Sequence, residues 1–160
     1  VFPGLSIQDN LLIALWGARA SLWDLLRPSL RRWDTPGLAS LRDRFSFLLD
    51  GQQIAGALSH GKRQILELAM ALAGEPRLLL LDEPCAGLSN DDTRLVIDTI
   101  SWAKEELSLT IIVIEHDMTL VRKIADHVFV MHQGHLLAEG DVQSIQADER
   151  VHQVYVGMVT

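Results

Sequence analysis

The sequence predicts an α/β protein in two parts. Residues 1–75 read as a helical subdomain, and residues 76–160 as the C-terminal half of a mostly parallel sheet with flanking helices. Three observations predict this. Apolar residues recur at helical spacing through most of the first part. From Arg77 onward, short strand-like runs alternate with helical patterns, as parallel strands and their crossover helices do. Leu78-Leu79-Leu80-Leu81 is continuously apolar rather than alternating, the pattern of a parallel strand buried on both faces.

Each element follows from local chemistry. Ser6 is a candidate N-cap for a helix carrying the apolar positions of Asn10 to Ala20. Leu22 to Leu30 is a second apolar helical stretch, followed by Arg31 and Arg32. Thr35-Pro36-Gly37 reads as a loop with proline at or near a helix start, and Leu38 to Leu49 as one amphipathic helix. Gly51 to Leu58 is a loop. Ser59 starts a long helix over Lys62 to Ala73, closed by Gly74-Glu75-Pro76. Leu78 to Asp82 is a strand that Pro84 ends, because proline cannot donate to a sheet ladder. The Ser89-Asn90-Asp91-Asp92 cluster caps a helix over Asp91 to Glu106. Thr110 to Glu115 is a β-branched strand, and Met118 to Ala125 a helix. His127–His132 and His135–Glu139 are strands joined at Gln133-Gly134, a hairpin signal. Short helices over Val142–Ala147 and Asp148–Val156 complete the chain.

Composition narrows the classes. With 160 residues, 48% hydrophobic and 22% charged, the chain has the make-up of one globular domain. The mean hydropathy of +0.16 suits a piece that packs against something else. No apolar run approaches the roughly 20 residues of a membrane helix. A net charge of −7 argues against a nucleic-acid partner, which selects a basic face. The single cysteine, Cys85, excludes an internal disulfide and suits a reducing compartment.

The chemistry starts at Asp82-Glu83. The two carboxylates stand at the carboxyl end of a core strand, where open α/β sheets bind ligands. An apolar strand running into two acids has the form of a Walker B motif, whose first acid serves Mg²⁺ and whose second polarises the water that attacks a γ-phosphate. Its partner, a Gly-x-x-x-x-Gly-Lys-Ser/Thr phosphate loop, does not occur in these 160 residues; His60-Gly61-Lys62 is the nearest window. Val1-Phe2-Pro3-Gly4 has no initiator methionine, signal-peptide design or N-cap. The expectation is therefore the C-terminal portion of a longer ATPase, with the phosphate loop upstream of Val1.

Ser59 and Gly61 stand at a helix N-terminus, where free N–H groups and the positive dipole end attract an anion. Taken alone, this is an ordinary serine cap. Taken with Asp82-Glu83, with Ala86-Gly87-Leu88-Ser89 directly after, and with His116 at the end of the next strand, the order resembles the ATP-binding subunits of ABC transporters. Those carry a Leu-Ser-Gly-Gly-Gln signature, Walker B with a catalytic glutamate, a D-loop and a switch histidine, on a P-loop NTPase-type sheet. The resemblance implies that Ser59, His60, Gly61 and Lys62 face the ATP held by a partner subunit. It implies Asp82 for Mg²⁺ through water, Glu83 as general base, His116 as γ-phosphate sensor, and Ala86, Gly87, Leu88 and Ser89 as the D-loop at a dimer interface.

The departures resemble one branch, the importers of branched-chain amino acids, urea and related amides. His60 and Lys62 stand where the signature has a Gly and its Gln, and Ser89 stands where many members have Asp. Leu58-Ser59-His60-Gly61 with Gln64 and Leu66-Glu67 is similar to the urea-type subunits. So are Glu115-His116-Asp117-Met118, Leu137-Ala138-Glu139-Gly140 and the ending Val154-Tyr155-Val156-Gly157. Phe2 to Leu11 resembles the segment after the Q-loop, which implies a Q-loop glutamine just before Val1. The resemblance implies a second ATP-binding subunit and membrane permease subunits as partners, and a peripheral place on the cytoplasmic face of the membrane. Two other classes stand beside it: a non-transport ATPase of DNA repair or translation, which the acidic charge disfavours, and a regulatory module without catalysis, which Glu83 and His116 disfavour.

The remaining features have plainer readings. Trp16, Trp23 and Trp33 pack the helical subdomain rather than dock a partner. His127, His132 and His135 lack metal-ligand spacing. Arg27, Arg31 and Arg32 form a solvated face, Asp91 and Asp92 are helix caps, and Cys85 is not a nucleophile.

Overall fold

A computed structural model describes residues 1–19 and 36–157. In chain order it contains α1 (Ile7–Arg19), α2 (Pro36–Arg44), α3 (His60–Ala73), β1 (Leu78–Asp82), α4 (Asn90–Glu106), β2 (Thr110–Ile114), α5 (Met118–Ile124), β3 (Val128–His132), β4 (His135–Gly140), α6 (Val142–Ala147) and α7 (Glu149–Gly157). Single 3₁₀ turns lie at Ser46–Leu49 and Ala55–Ala57. The stretch Leu22–Leu30, with Trp23, Arg27, Arg31, Arg32 and Trp33, lies outside the described residues, as does the side chain of Trp16 on α1. The chain divides into two compact units, Val1–Ile114 and Glu115–Thr160. No helix among the described residues is long and apolar enough to cross a membrane.

The first unit is organised around α3. Its apolar face, Ile65, Leu66, Leu68, Ala69, Leu72 and Ala73, is buried, and α3 packs against α1, α2 and α4. Ser6 caps α1 as expected: its Oγ accepts from the Asp9 N–H at 3.0 Å and donates to the Asp9 carboxylate at 2.7 Å. The buried Asn10 side chain then ties down the chain entering α1. It accepts from the Phe2 N–H at 2.7 Å and donates to the carbonyls of Phe2 at 3.0 Å and Ser6 at 2.9 Å. A buried amide is tolerable only when so satisfied.

Two expectations need correction. Leu38–Leu49 is not one helix: α2 ends at Arg44, Phe45 is extended (φ −121°, ψ 92°), and the 3₁₀ turn follows. The apolar positions Leu41, Phe45 and Leu48 are all buried, so the helix-like spacing survives a break that it cannot reveal. Nor is β1 buried on both faces. Leu79 is 6% exposed, but Leu78 is 48% and Leu80 66%, and on β2 Ile112 is 54% and Ile114 62%. The continuous apolar run is real, yet among the described residues nothing covers this second face.

β1 and β2 pair in parallel register, Leu78 opposite Thr110 through Asp82 opposite Ile114, with α4 as the crossover helix. Ser89 caps α4, accepting from the Asp92 N–H at 3.2 Å and donating to its carboxylate at 2.9 Å. α3 ends near Gly74, but the left-handed position falls on Glu75 (φ 49°).

The second unit holds the antiparallel hairpin. Gln133 (φ 48°) and Gly134 (φ 79°) are both left-handed, as a two-residue turn matching strand twist requires. A register shift between Val130 and Met131 marks a bulge. Val130, Ala138, Ile145 and Val151 form a small core under α6 and α7. Asp117 and Asp141 cap α5 and α6, accepting from the N–H groups of Thr119 and Ser144, each at 2.7 Å. Those hydrogen bonds hold both carboxyls below the ordinary aspartate value.

Candidate functional site

Parallel pairing puts the carboxyl ends of β1 and β2 side by side, and the chain leaves β1 through an acidic turn. Asp82, the last strand residue, is exposed. Glu83 donates its N–H to the Ile114 carbonyl at 2.9 Å, which fastens it to the end of β2. Its φ of 43° lies in the left-handed region, unusual for a residue with a Cβ. The Ala86 N–H returns to the Glu83 carbonyl at 3.0 Å, closing a turn over the buried Pro84, and the Leu88 N–H reaches the Cys85 carbonyl at 3.3 Å. Gly87 (φ 71°) and the capping Ser89 complete the segment Ala86–Ser89.

The start of α3 lies against this turn. Ser59 is the N-cap, its Oγ accepting from the Lys62 N–H at 3.3 Å, which leaves its own O–H to donate outward. The His60 ring Nε2 is 3.4 Å from the Ala86 carbonyl oxygen, a hydrogen bond when the ring carries its proton on Nε2. Gly61 is buried, and a Cβ built there would overlap the Asp92 carboxyl on α4. The Lys62 ammonium sits over the Phe47 ring, 5.6 Å from its centroid, in cation–π range.

The structure therefore joins Ser59–Lys62 to Ala86–Ser89, and joins Ala86 to Glu83. Asp92 and Phe47, the neighbours of Gly61 and Lys62, were not legible in the sequence: both act across large sequence separations, and no local motif marks them. His116 opens the second unit with Glu115. It is exposed, and its N–H donates to the Glu115 carboxylate at 3.3 Å.

Among the described residues no group of three or more His, Cys, Asp or Glu could hold a metal. Mg²⁺ needs no such cage, because it binds through one or two carboxylates plus water and substrate phosphates. The exposed carboxylate of Asp82 at the strand end fits that demand.

Solved structures share the fold. The ADP conformation of an ATP-binding cassette of an ABC transporter superposes with a TM-score of 0.76 at 22% identity, covering 97% of this chain and 64% of that one. The cbiO1 protein of Clostridium perfringens, part of the ABC transporter complex cbiONQ, gives 0.71 at 22% identity, covering 97% and 58%. The fold is thus that of an ATP-binding cassette, as the resemblance implied. The family model described as ABC transporter matches residues 1–86, more than half of the sequence, and the chain belongs to that family.

Its relatives include the high-affinity branched-chain amino acid transport ATP-binding protein LivG of Escherichia coli, 32% identical over 163 residues, 98% of this chain and 64% of LivG. BraF of Pseudomonas aeruginosa, which bears the same description, is 40% identical over 103 residues, 64% of this chain and 40% of BraF. The methionine import ATP-binding protein MetN 1 of Burkholderia orbicola is 32% identical over 156 residues, 96% of this chain and 43% of that protein. The chain thus spans just under two thirds of the length of the LivG relative.

Proposed function

We propose that this chain is part of an ATP-hydrolysing subunit of an ABC importer, with a branched-chain amino acid, urea or a related amide as its solute. The names of LivG and BraF support the amino-acid reading. The observation that carries the proposal is the junction itself: two carboxylates at the sheet edge, a left-handed Glu83, and a serine-capped helix anchored to the turn that follows.

In this reading residues 1–75 are the signature subdomain and 76–160 the catalytic core. Asp82 would hold Mg²⁺ through water, and the ion would supply charge neutralisation at the phosphates of ATP. Glu83 takes the proton of the attacking water, and His116 has the role of γ-phosphate sensor that the resemblance implies. Ser59 donates its hydroxyl, and Gly61 its backbone N–H, toward ATP carried by a second ATP-binding subunit. His60 and Lys62 flank that contact, and Ala86, Gly87, Leu88 and Ser89 line the dimer interface. Permease subunits carry the solute, and the ATPase is peripheral on the cytoplasmic face of the membrane. The 160-residue polypeptide alone, which contains no phosphate-loop motif, hydrolyses no ATP.

The test is ATP hydrolysis by the product of the complete gene, reconstituted with its membrane subunits. Glu83→Gln should lower kcat by about 10²–10⁴-fold, the range of a lost general base, while ATP binding persists. Absence of hydrolysis in the unmodified protein would favour the regulatory reading.

A further inference from the structure

We propose that His60 is a positioning residue that braces the turn holding Glu83, rather than a group that touches nucleotide. The inference rests on the ATPase reading above and assigns His60 a different task within it.

The geometry is a short relay inside the first unit. The His60 imidazole reaches the Ala86 carbonyl at 3.4 Å, and the Ala86 N–H holds the Glu83 carbonyl at 3.0 Å. Two hydrogen bonds thus separate the ring from the backbone of the proposed base. That backbone needs support, since a side-chain-bearing residue at φ 43° pays a conformational penalty unless its surroundings over-determine it. The Glu83 N–H is held by Ile114, which fixes one side of the residue. His60 acts on the other side, through the backbone on both flanks of the Ala86 Cα.

Two further features describe the ring's surroundings. Gly61 is pressed so closely against Asp92 that the first turn of α3 has little freedom to slide along α4. A Cβ built on Gly87 would lie 3.8 Å from His60 Nε2, so the ring also lies beside the left-handed residue that ends the turn. A glycine at position 60 could reach neither Ala86 nor Gly87. The histidine thus adds a side-chain link between the helix end that faces a partner's ATP and the turn that carries this subunit's own base.

The experiment uses the product of the complete gene, with ATP as substrate and the Glu83→Gln protein as the no-turnover control. His60→Ala should lower kcat about tenfold with KM for ATP unchanged, the signature of an interaction that matters only as the reaction proceeds. His60→Gln, which keeps a donor, should recover most of that loss; His60→Phe, which keeps only bulk, should not. Amide exchange at Ala86 should quicken in the Ala and Phe variants and not in Gln, a readout independent of turnover.

Unchanged kcat and unchanged Ala86 exchange in His60→Ala would overturn the proposal and leave the ATPase reading intact. So would a rise in KM with constant kcat, which would return His60 to the nucleotide. No hydrolysis by the unmodified protein would overturn both. A parallel fall in thermal midpoint across the His60 variants, with equal kcat losses in Gln and Phe, would reduce the residue to a structural role and also overturn the brace.

Discussion

β1 and β2 are joined by a crossover carrying all of α4, whereas β3 and β4 are joined by the two residues Gln133 and Gly134. The unit that holds the parallel pair is assembled from helices packed across sequence: Leu66, Leu72, Val96 and Ile100 are buried in it, and α3 packs on α1, α2 and α4. The hairpin depends on its own turn and on Val130, Ala138, Ile145 and Val151. The proposed chemistry of Glu83 therefore sits where structure is assembled from long-range contacts. The hairpin is specified by neighbouring residues and carries none of the proposed catalytic groups.

Three substitutions sharpen that contrast. Leu66→Ala should have the largest effect, costing about 2–5 kcal/mol of stability in denaturant titration, because a fully buried leucine leaves a cavity. Its mark on hydrogen exchange should spread through α1, α3 and α4; confinement to α3 would mean that these helices are less interdependent than their packing implies. Gly134→Val should cost less, about 1–2 kcal/mol, because a β-branched residue is strained at φ 79°. Its exchange effect should stay within β3 and β4.

Asp148 should show the smallest effect. Its carboxylate is held by the Arg150 guanidinium, with Nη2 at 2.6 Å and Nε at 3.1 Å, and by the Arg150 N–H at 2.8 Å. The Arg150 side chain, then its backbone, lowers the carboxyl from 3.8 to about 2. A depressed folded value means that its stabilising effect is complete above the unfolded value of 3.8 and disappears as pH falls through about 2. Titration of the Asp148 carboxyl by carbon NMR should show that midpoint, and Arg150→Ala should return it toward 3.8. An unchanged midpoint in Arg150→Ala would assign the shift to backbone donors alone.

The same contrast explains what the sequence revealed. The hairpin was legible because Gln133-Gly134 and the strand-like runs on either side encode it locally. The caps at Ser6, Ser59 and Ser89 were legible for the same reason, since each acts within its own first turn. The break at Phe45 was not, because Leu41, Phe45 and Leu48 bury equally well with or without it. The exposed face of Leu78 and Leu80 was not, because an apolar run records what a strand is suited to meet, whatever the described residues supply. At the candidate site the residue types and their order were readable. The packing of Gly61 on Asp92, and the reach of His60 to Ala86, belong to tertiary contact alone.

The closeness of Gly61 to Asp92 also constrains how such a chain can diverge. Two positions far apart in sequence share one small volume, so neither accepts substitutions independently. A larger residue at the helix start becomes admissible only after the α4 side chain has shortened. The Asp92 carboxylate also accepts from the capping Ser89 hydroxyl, so shortening that side chain gives up this hydrogen bond. Mutational paths through this junction are therefore ordered, with the change on α4 coming first. A motif that looks like a local string of residues inherits its permitted alphabet from a helix encoded further along the chain.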